Sequence, residues 1–369
     1  LRIADLDGDE ITMNTAIDWI PAGQAFGFDN LVFWQDKGKV PFSAAAARID
    51  TIVLGPHASA RFPAELQPFV DAALTRRKQY DYSDVITSSL GRAWAAADPG
   101  VVFVENPHSR LVLDPNRAPP ADVMPGLREF FARLERQRAG EKVAFGGIDA
   151  VRPVTFSGEA VLRPPKNDAE WSALQKALAT ARRLGPEAYR SACDGVIDAV
   201  LKARKPGAAL RVISLHDTMN TKMRPDGAIV VERPAADRLP RLVNFGNKGD
   251  DRGEAGADPL TIGAAKMRRI ADAWAQGFGF DATTRGTAIT LNSPYKGAFE
   301  TVHYGAKLAA LKDRRVGAVQ VEFLRETLLG PRATAQLQQP GADWPEIDRE
   351  HLDNIVASLT AAGGLLRAD

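Results

Sequence analysis

Two of the five histidines stand where an α/β protein keeps its chemistry. His57 follows the apolar run 51-TIVLG-55 in Gly55-Pro56-His57, and His216 follows 210-LRVISL-215 in 215-LHDTMN-220. Ligands in open α/β sheets bind just beyond the carboxyl ends of the strands, so two imidazoles at matching strand ends can meet. Cys193 is the only cysteine, so a transition metal would have to be held by imidazole and carboxylate. Two nitrogens and one carboxylate oxygen suit zinc, with one position left open. For a single strand-end histidine a capping hydrogen bond is explanation enough; for two, metal ligation carries equal weight. Glu322 lies inside 318-AVQVEFL-324, and glutamate is rarely buried unless paired or functional. At the rim of a metal site it can carry a proton from water to a leaving amine; the plainer alternative is an ion pair with Arg325. The segment 109-SRLVLDPNR-117 ends in Asn116-Arg117, a directed amide beside a planar fork that matches a carboxylate, although such a pair in a loop is ordinarily solvated. In 292-NSPYKGAFETVHYG-305, Gly297 lets backbone approach a ligand. His303 reads either as a substrate contact or as a structural hydrogen bond. His108 and His351 have no such context and read as structural or surface residues.

These side chains need strands to place them. Continuous Val/Ile/Leu runs occur at 51–55, 101–105, 110–114, 210–215, 241–245, 286–291 and 317–323; unbroken rather than alternating, they suit strands covered on both faces. Helical spacing with start and stop signals is predicted for 168–184, ended by Gly185-Pro186, and for 186 to about 204, with further helices near 258–276 and 348–361 and one following Asp84. The class is therefore α/β, a mostly parallel mixed sheet with helices on both faces. Residues 1–48, rich in Gly and aromatic residues, read as a lead-in packed on a single α/β domain spanning 49–369. Residues 118–166, with Pro119-Pro120, Gly146-Gly147 and Pro164-Pro165, read as an insertion in it. Lys plus Arg number 47 against 46 Asp plus Glu, which supplies no electrostatic reason to expect nucleic acid or an anionic membrane. Hydrophobic residues at 45% and charged residues at 25% describe a globular chain with a large core. No apolar run approaches the roughly 18 residues of a membrane span. One cysteine leaves no internal disulfide and leans toward the cytoplasm; with Leu1 in place of Met as first residue, export stays open. The oligomeric state is not legible.

Taken in order, 52-IVLGPHASARFP-63, 81-DYSD-84, 109-SRLVLDPNR-117, 212-VISLHDTM-219, 241-RLVNFGN-247, 294-PYKGAFETVHYG-305 and 318-AVQVEFLRETL-328 resemble the segments of the N-formylglutamate amidohydrolase family, over about residues 50 to 361. The resemblance implies a zinc-carboxypeptidase-like (phosphorylase/hydrolase-like) fold and one Zn²⁺. It implies His57 and His216 as ligands, with a third from the acidic segment, Asp84 fitting better than Asp81. Glu322 would be the general base and acid, Asn116 and Arg117 would hold the α-carboxylate of an N-acyl amino acid, and Lys296 would lie near the substrate. The reaction implied is removal of an acyl group, formyl first, from an acidic amino acid such as N-formyl-L-glutamate. Two other readings stand beside it: a zinc peptidase or amidase on peptide or cell-wall fragments, and a small-molecule binding protein that keeps the fold without turnover.

Overall fold

Seven strands hydrogen-bond into one sheet in the structure, a computed structural model that describes residues 2–4, 10–12 and 16–368. They are β1 (Val32–Trp34), β2 (Thr51–Gly55), β3 (Val101–Glu105), β4 (Leu210–Thr218), β7 (Val243–Gly246), β8 (Ile289–Leu291) and β9 (Val316–Leu324); β5 (Thr221–Met223) and β6 (Ile229–Glu232) form a separate hairpin. The spatial order is β8-β7-β9-β4-β2-β3-β1. The four central strands are mutually parallel, β1 runs antiparallel at one edge, and β7 and β8 run antiparallel to the centre at the other. The sheet is thus mixed and mostly parallel. The register sets Glu322 of β9 directly beside His216 of β4, and Gln320 beside Ser214.

Eight helices longer than ten residues are present among the described residues: α1 (Ile86–Ala97), α2 (Met124–Arg138), α3 (Asp168–Leu184), α4 (Pro186–Ala203), α5 (Ala264–Gly277), α6 (Phe299–Ala309), α7 (Arg325–Leu337) and α8 (Arg349–Arg367). Local chemistry explains the best-defined ends. The Asn167 side chain accepts from the Glu170 N–H at the start of α3, Gly185 closes it, and Pro186 opens α4 where its missing N–H costs nothing. One sheet face packs Ile213, Val319 and Phe323 against Leu90 and Trp94 of α1 and Trp274 of α5. The other packs Val212 and Ala318 against Tyr189 and Val196 of α4 and Tyr304 of α6. Helix α1 lies so close that a Cβ on Gly91 would meet the Phe103 ring at 2.5 Å, so a side chain there would push helix and sheet apart.

Two expectations need correction. Residues 110–114 are buried but form turns rather than a strand. A continuous apolar run signals burial without specifying extension, and here Arg110 pairs with Asp114 four residues on, at 2.7 Å. The segment 286–291 begins as a helical turn, Arg285–Ala288, before its strand. Residues 118–166 contain α2, whose Leu127 joins Leu174 and Leu178 of α3 and Phe62 and Leu111 in a third core.

Candidate active site

Along the face of β4 that packs on α4 and α6, the inward positions run Leu210, Val212, Ser214, His216; along β9 they run Val316, Ala318, Gln320, Glu322. Both rows change from apolar to polar at the same register, near the carboxyl ends of parallel strands. His57 comes from the turn after β2, and Asp84 precedes α1, where its carbonyl accepts from the Thr87 N–H and its own N–H donates to the His57 carbonyl. Of these side chains His57, Asp84, His216, Gln320 and Glu322 line a cavity of about 330 Å³, the size of a small-metabolite site, and Ser214 lies behind His216.

His57, Asp84 and His216 meet at that floor, each buried. Asp84 Oδ2 lies 3.1 Å from His57 Nδ1 and 2.8 Å from His216 Nδ1, and the two Nδ1 atoms are 3.2 Å apart. The far nitrogen of each ring is already engaged. His57 Nε2 is 2.7 Å from Asp114 Oδ1, a carboxylate that can only accept while ionised, so the ring proton sits on Nε2. His216 Nε2 is 3.0 Å from Ser214 Oγ, whose own proton goes to Glu300 Oε2 at 2.6 Å, and Tyr189 donates to Glu300 Oε1 at 2.8 Å. That chain assigns the His216 proton to Nε2 as well. Two imidazole lone pairs and a carboxylate oxygen then converge on one point, which is repulsive unless a cation lies among them. The triangle edges of 2.8–3.2 Å compare with about 3.3–3.5 Å for three ligands of a tetrahedral zinc. The donor set therefore fits a divalent metal, with the second layer of hydrogen bonds that metal-ligating histidines ordinarily carry.

The carboxylates around this cluster favour positive charge within it. Burial opposes charge on Asp84, but His57 and His216 outweigh it and hold the carboxyl below its ordinary range. Burial and Arg110 work against protonation of His57, yet Asp114 and Asp84 leave its titration raised. Glu322 is different: burial pushes its carboxyl up to about 7, with Asp84 and Asp217 adding and His216 and Arg233 opposing. Among the described residues its carboxylate has one hydrogen bond, from Gln320 Nε2 at 3.1 Å. Arg325 does not pair with it. That guanidinium instead binds Asp217 through Nε and donates to the Ser83 carbonyl at 2.6 Å, leaving Glu322 without an ion pair among the described residues.

The remaining sequence candidates divide. Asp84, not Asp81, reaches the histidines; Asp81 lies 3.7 Å from Arg325. Asn116 is buried at the cavity, with Nδ2 3.3 Å from His216 Nε2 and Oδ1 accepting from the Glu300 N–H at 3.0 Å. Arg117 lines the cavity while paired to Asp149 at 2.9 Å. Lys296 and His303 are exposed and do not line it; His303 stacks on Phe299 on the outer side of α6. Gly297 adopts φ +103°, and the neighbouring Gly246 leaves only 2.6 Å between a hypothetical Cβ and the Lys296 carbonyl carbon, so these glycines serve loop-on-strand packing. Sequence reasoning missed Asp114, Ser214, Glu300 and Arg233. Only Asp114 had a local signal, standing two residues before Asn116 in a segment already singled out.

The N-formylglutamate amidohydrolase family model matches residues 49–329. Among solved structures the chain is similar to an N-formylglutamate amidohydrolase from Ralstonia eutropha, at 16% identity and a TM-score of 0.47, covering 87% of this chain and 95% of that one. It is similar at the same identity and TM-score to a gene product of Agrobacterium tumefaciens, covering 88% and 93%. No curated protein matches the chain. No helix among the described residues is long and apolar enough to cross a membrane.

Proposed function

The chain belongs to the N-formylglutamate amidohydrolase family, and we propose from that premise that it is a zinc-dependent amidohydrolase removing a formyl group from an acidic amino acid, with N-formyl-L-glutamate the first substrate to try. The observation that carries the metal is the convergence of His57 Nδ1, His216 Nδ1 and Asp84 Oδ2, with both Nε2 atoms tied off behind them. His57, Asp84 and His216 would hold zinc, which would supply Lewis acidity toward the amide carbonyl and lower the pKa of water.

The chain's own residues do the rest. Glu322, poised near neutrality and free of an ion pair, takes a proton from the attacking water as the carbon–oxygen bond forms. It returns that proton to the amide nitrogen as the carbon–nitrogen bond breaks, so formate and the free amino acid leave. Gln320 orients Glu322 through Nε2, and its Oε1, buried without a partner, is the acceptor offered to the substrate N–H. Arg117 supplies positive charge for the α-carboxylate, while Asn116 holds the first turn of α6 through Oδ1, which accepts from the Glu300 N–H. Arg110, bonded to Asp114, balances the carboxylates beneath the metal site.

Metal analysis of protein purified without chelator, alongside Glu322→Gln, tests this. The parent is expected to hold near-stoichiometric zinc and hydrolyse N-formyl-L-glutamate; the variant is expected to keep the zinc and lose at least about a hundredfold in kcat, as loss of a general acid–base does. Full activity in the variant removes Glu322 from the mechanism, and a parent that takes up no divalent metal removes the mechanism itself.

A further inference from the structure

Every arginine lining the cavity has a carboxylate partner except one. Arg110 is paired with Asp114, Arg117 with Asp149 and Arg325 with Asp217. Arg233, the residue after β6, lines the same cavity and makes no ion pair among the described residues. Neutral oxygens hold it instead: Nη1 donates to the Tyr295 hydroxyl at 2.8 Å and Nη2 to Thr218 Oγ1 at 3.1 Å, while its Nε is buried with no partner. Asp81, Glu322 and Glu326 feel its charge without bonding to it. With no carboxylate bonded to it and Nε unused, this guanidinium keeps donors free for a ligand's carboxylate. Lys222, across the hairpin on β5 opposite Val231, also lines the cavity and also has no ion pair among the described residues.

We propose that Arg233, oriented by Tyr295 and Thr218 and assisted by Lys222, is a second carboxylate subsite, which receives the side-chain carboxylate of a dicarboxylic substrate and selects acidic over neutral N-acyl amino acids. This rests on the cavity being the substrate site, as proposed above. Arg233 is a specificity residue: a neutral substrate would leave its fork unfilled, and the missing bidentate pair would be read as discrimination. The hairpin also connects the subsite to the 118–166 segment, since the Met223 N–H donates to Ser157 Oγ at 2.9 Å and Phe156 and Ser157 line the cavity.

The test compares glutarate with butyrate by calorimetric titration of the zinc-loaded parent, Arg233→Met and Arg233→Lys, with hydrolysis of N-formyl-L-glutamate and N-formyl-L-norleucine measured in parallel. Butyrate carries one carboxylate and glutarate two on a similar chain, so their ratio isolates the second. The parent is expected to favour glutarate by about 10- to 100-fold, the range of a charge-assisted pair. Arg233→Met should abolish that preference with butyrate affinity unchanged, and Arg233→Lys should restore part of it. In hydrolysis the loss should fall on KM for the glutamate substrate and spare norleucine. A parent without a glutarate preference, or a preference that survives Arg233→Met, overturns the subsite. Equal kcat losses on both substrates make Arg233 a charge balance for Glu322 and overturn it too. If N-formyl-L-glutamate is not hydrolysed while the glutarate preference depends on Arg233, the catalytic reading fails and the subsite stands.

Discussion

Replacing Ser214 with Ala removes one oxygen from the floor of the site and reaches the metal through His216. Ser214 Oγ accepts from His216 Nε2 at 3.0 Å and donates to Glu300 Oε2 at 2.6 Å, so the substitution frees the ring to carry its proton on Nδ1, the atom aimed at Asp84 and His57. It also strips one of two donors from a buried carboxylate, leaving Tyr189 as the other. Second-layer partners of metal-ligating histidines are worth 10- to 100-fold in affinity, which at about 1.4 kcal/mol per decade is about 1.4–2.7 kcal/mol. A separate cost of about 1–3 kcal/mol in folding stability arises because the Glu300 oxygen loses a charge-assisted bond inside the core. Competition against a chromophoric chelator measures the zinc affinity, and urea unfolding of the metal-free protein measures the stability. The expected pair of results is a zinc Kd weakened 10- to 100-fold and a metal-free protein destabilised by about 1–3 kcal/mol. A variant that unfolds more easily but binds zinc within twofold of the parent would show that Ser214 supports the core only, and the tautomer argument for His216 would fall.

Two further outcomes test the surroundings. Asp217 is fully buried against Arg325, and Asp217→Asn leaves that guanidinium only its longer contact with Asp81, at 3.7 Å, so the substitution should cost about 3 kcal/mol of stability by urea unfolding; a loss under 1 kcal/mol would mean that Asp81 closes on Arg325 and replaces the lost partner. His108, 1% exposed, is pushed down to about 4 by burial and the charge of Arg61, against the Ala181 carbonyl. Its folded pKa lies below the ordinary 6.5, so it contributes nothing above pH 6.5, and stability drains as pH falls from there toward 4 because the unfolded chain takes the proton first. The loss should reach about 3 kcal/mol. The difference between the pH profiles of the parent and His108→Asn isolates it, and parallel profiles between pH 6.5 and 4 would refute it.

How far the site was legible depended on how local each signal was. His57, His216 and Glu322 could be found because each sits in or just after an apolar run whose strand end sets its place. Asp84 was favoured over Asp81 by its distance from the helix that follows. Ser214 and Glu300 are 86 residues apart and Arg325 and Asp217 are 108 apart, so no spacing within one segment marks either pair. The same limit hid that Lys296 and His303 are exposed and do not line the cavity. Their cluster looked chemical, but α6 turns Glu300, Thr301, Tyr304 and Leu308 inward, which is helical spacing, and His303 falls on the other side. The run at 110–114 misled for the opposite reason, since it is buried as its composition requires but curled around its own Arg–Asp pair.

One signal was present and unread. In β4 and β9, alternate positions pass from aliphatic to polar at the same step, Ser214 beside Gln320 and His216 beside Glu322. A core strand gains nothing from such a change, because each buried polar group must find a partner or cost stability. Two adjacent parallel strands making the change together place four polar side chains on one face at one end of the sheet. That is the physical signature of a site, and it can be read with no motif at all once the strands are known to be neighbours. The pairing of β4 with β9, separated by about a hundred residues of chain, is the one fact that composition and periodicity do not supply.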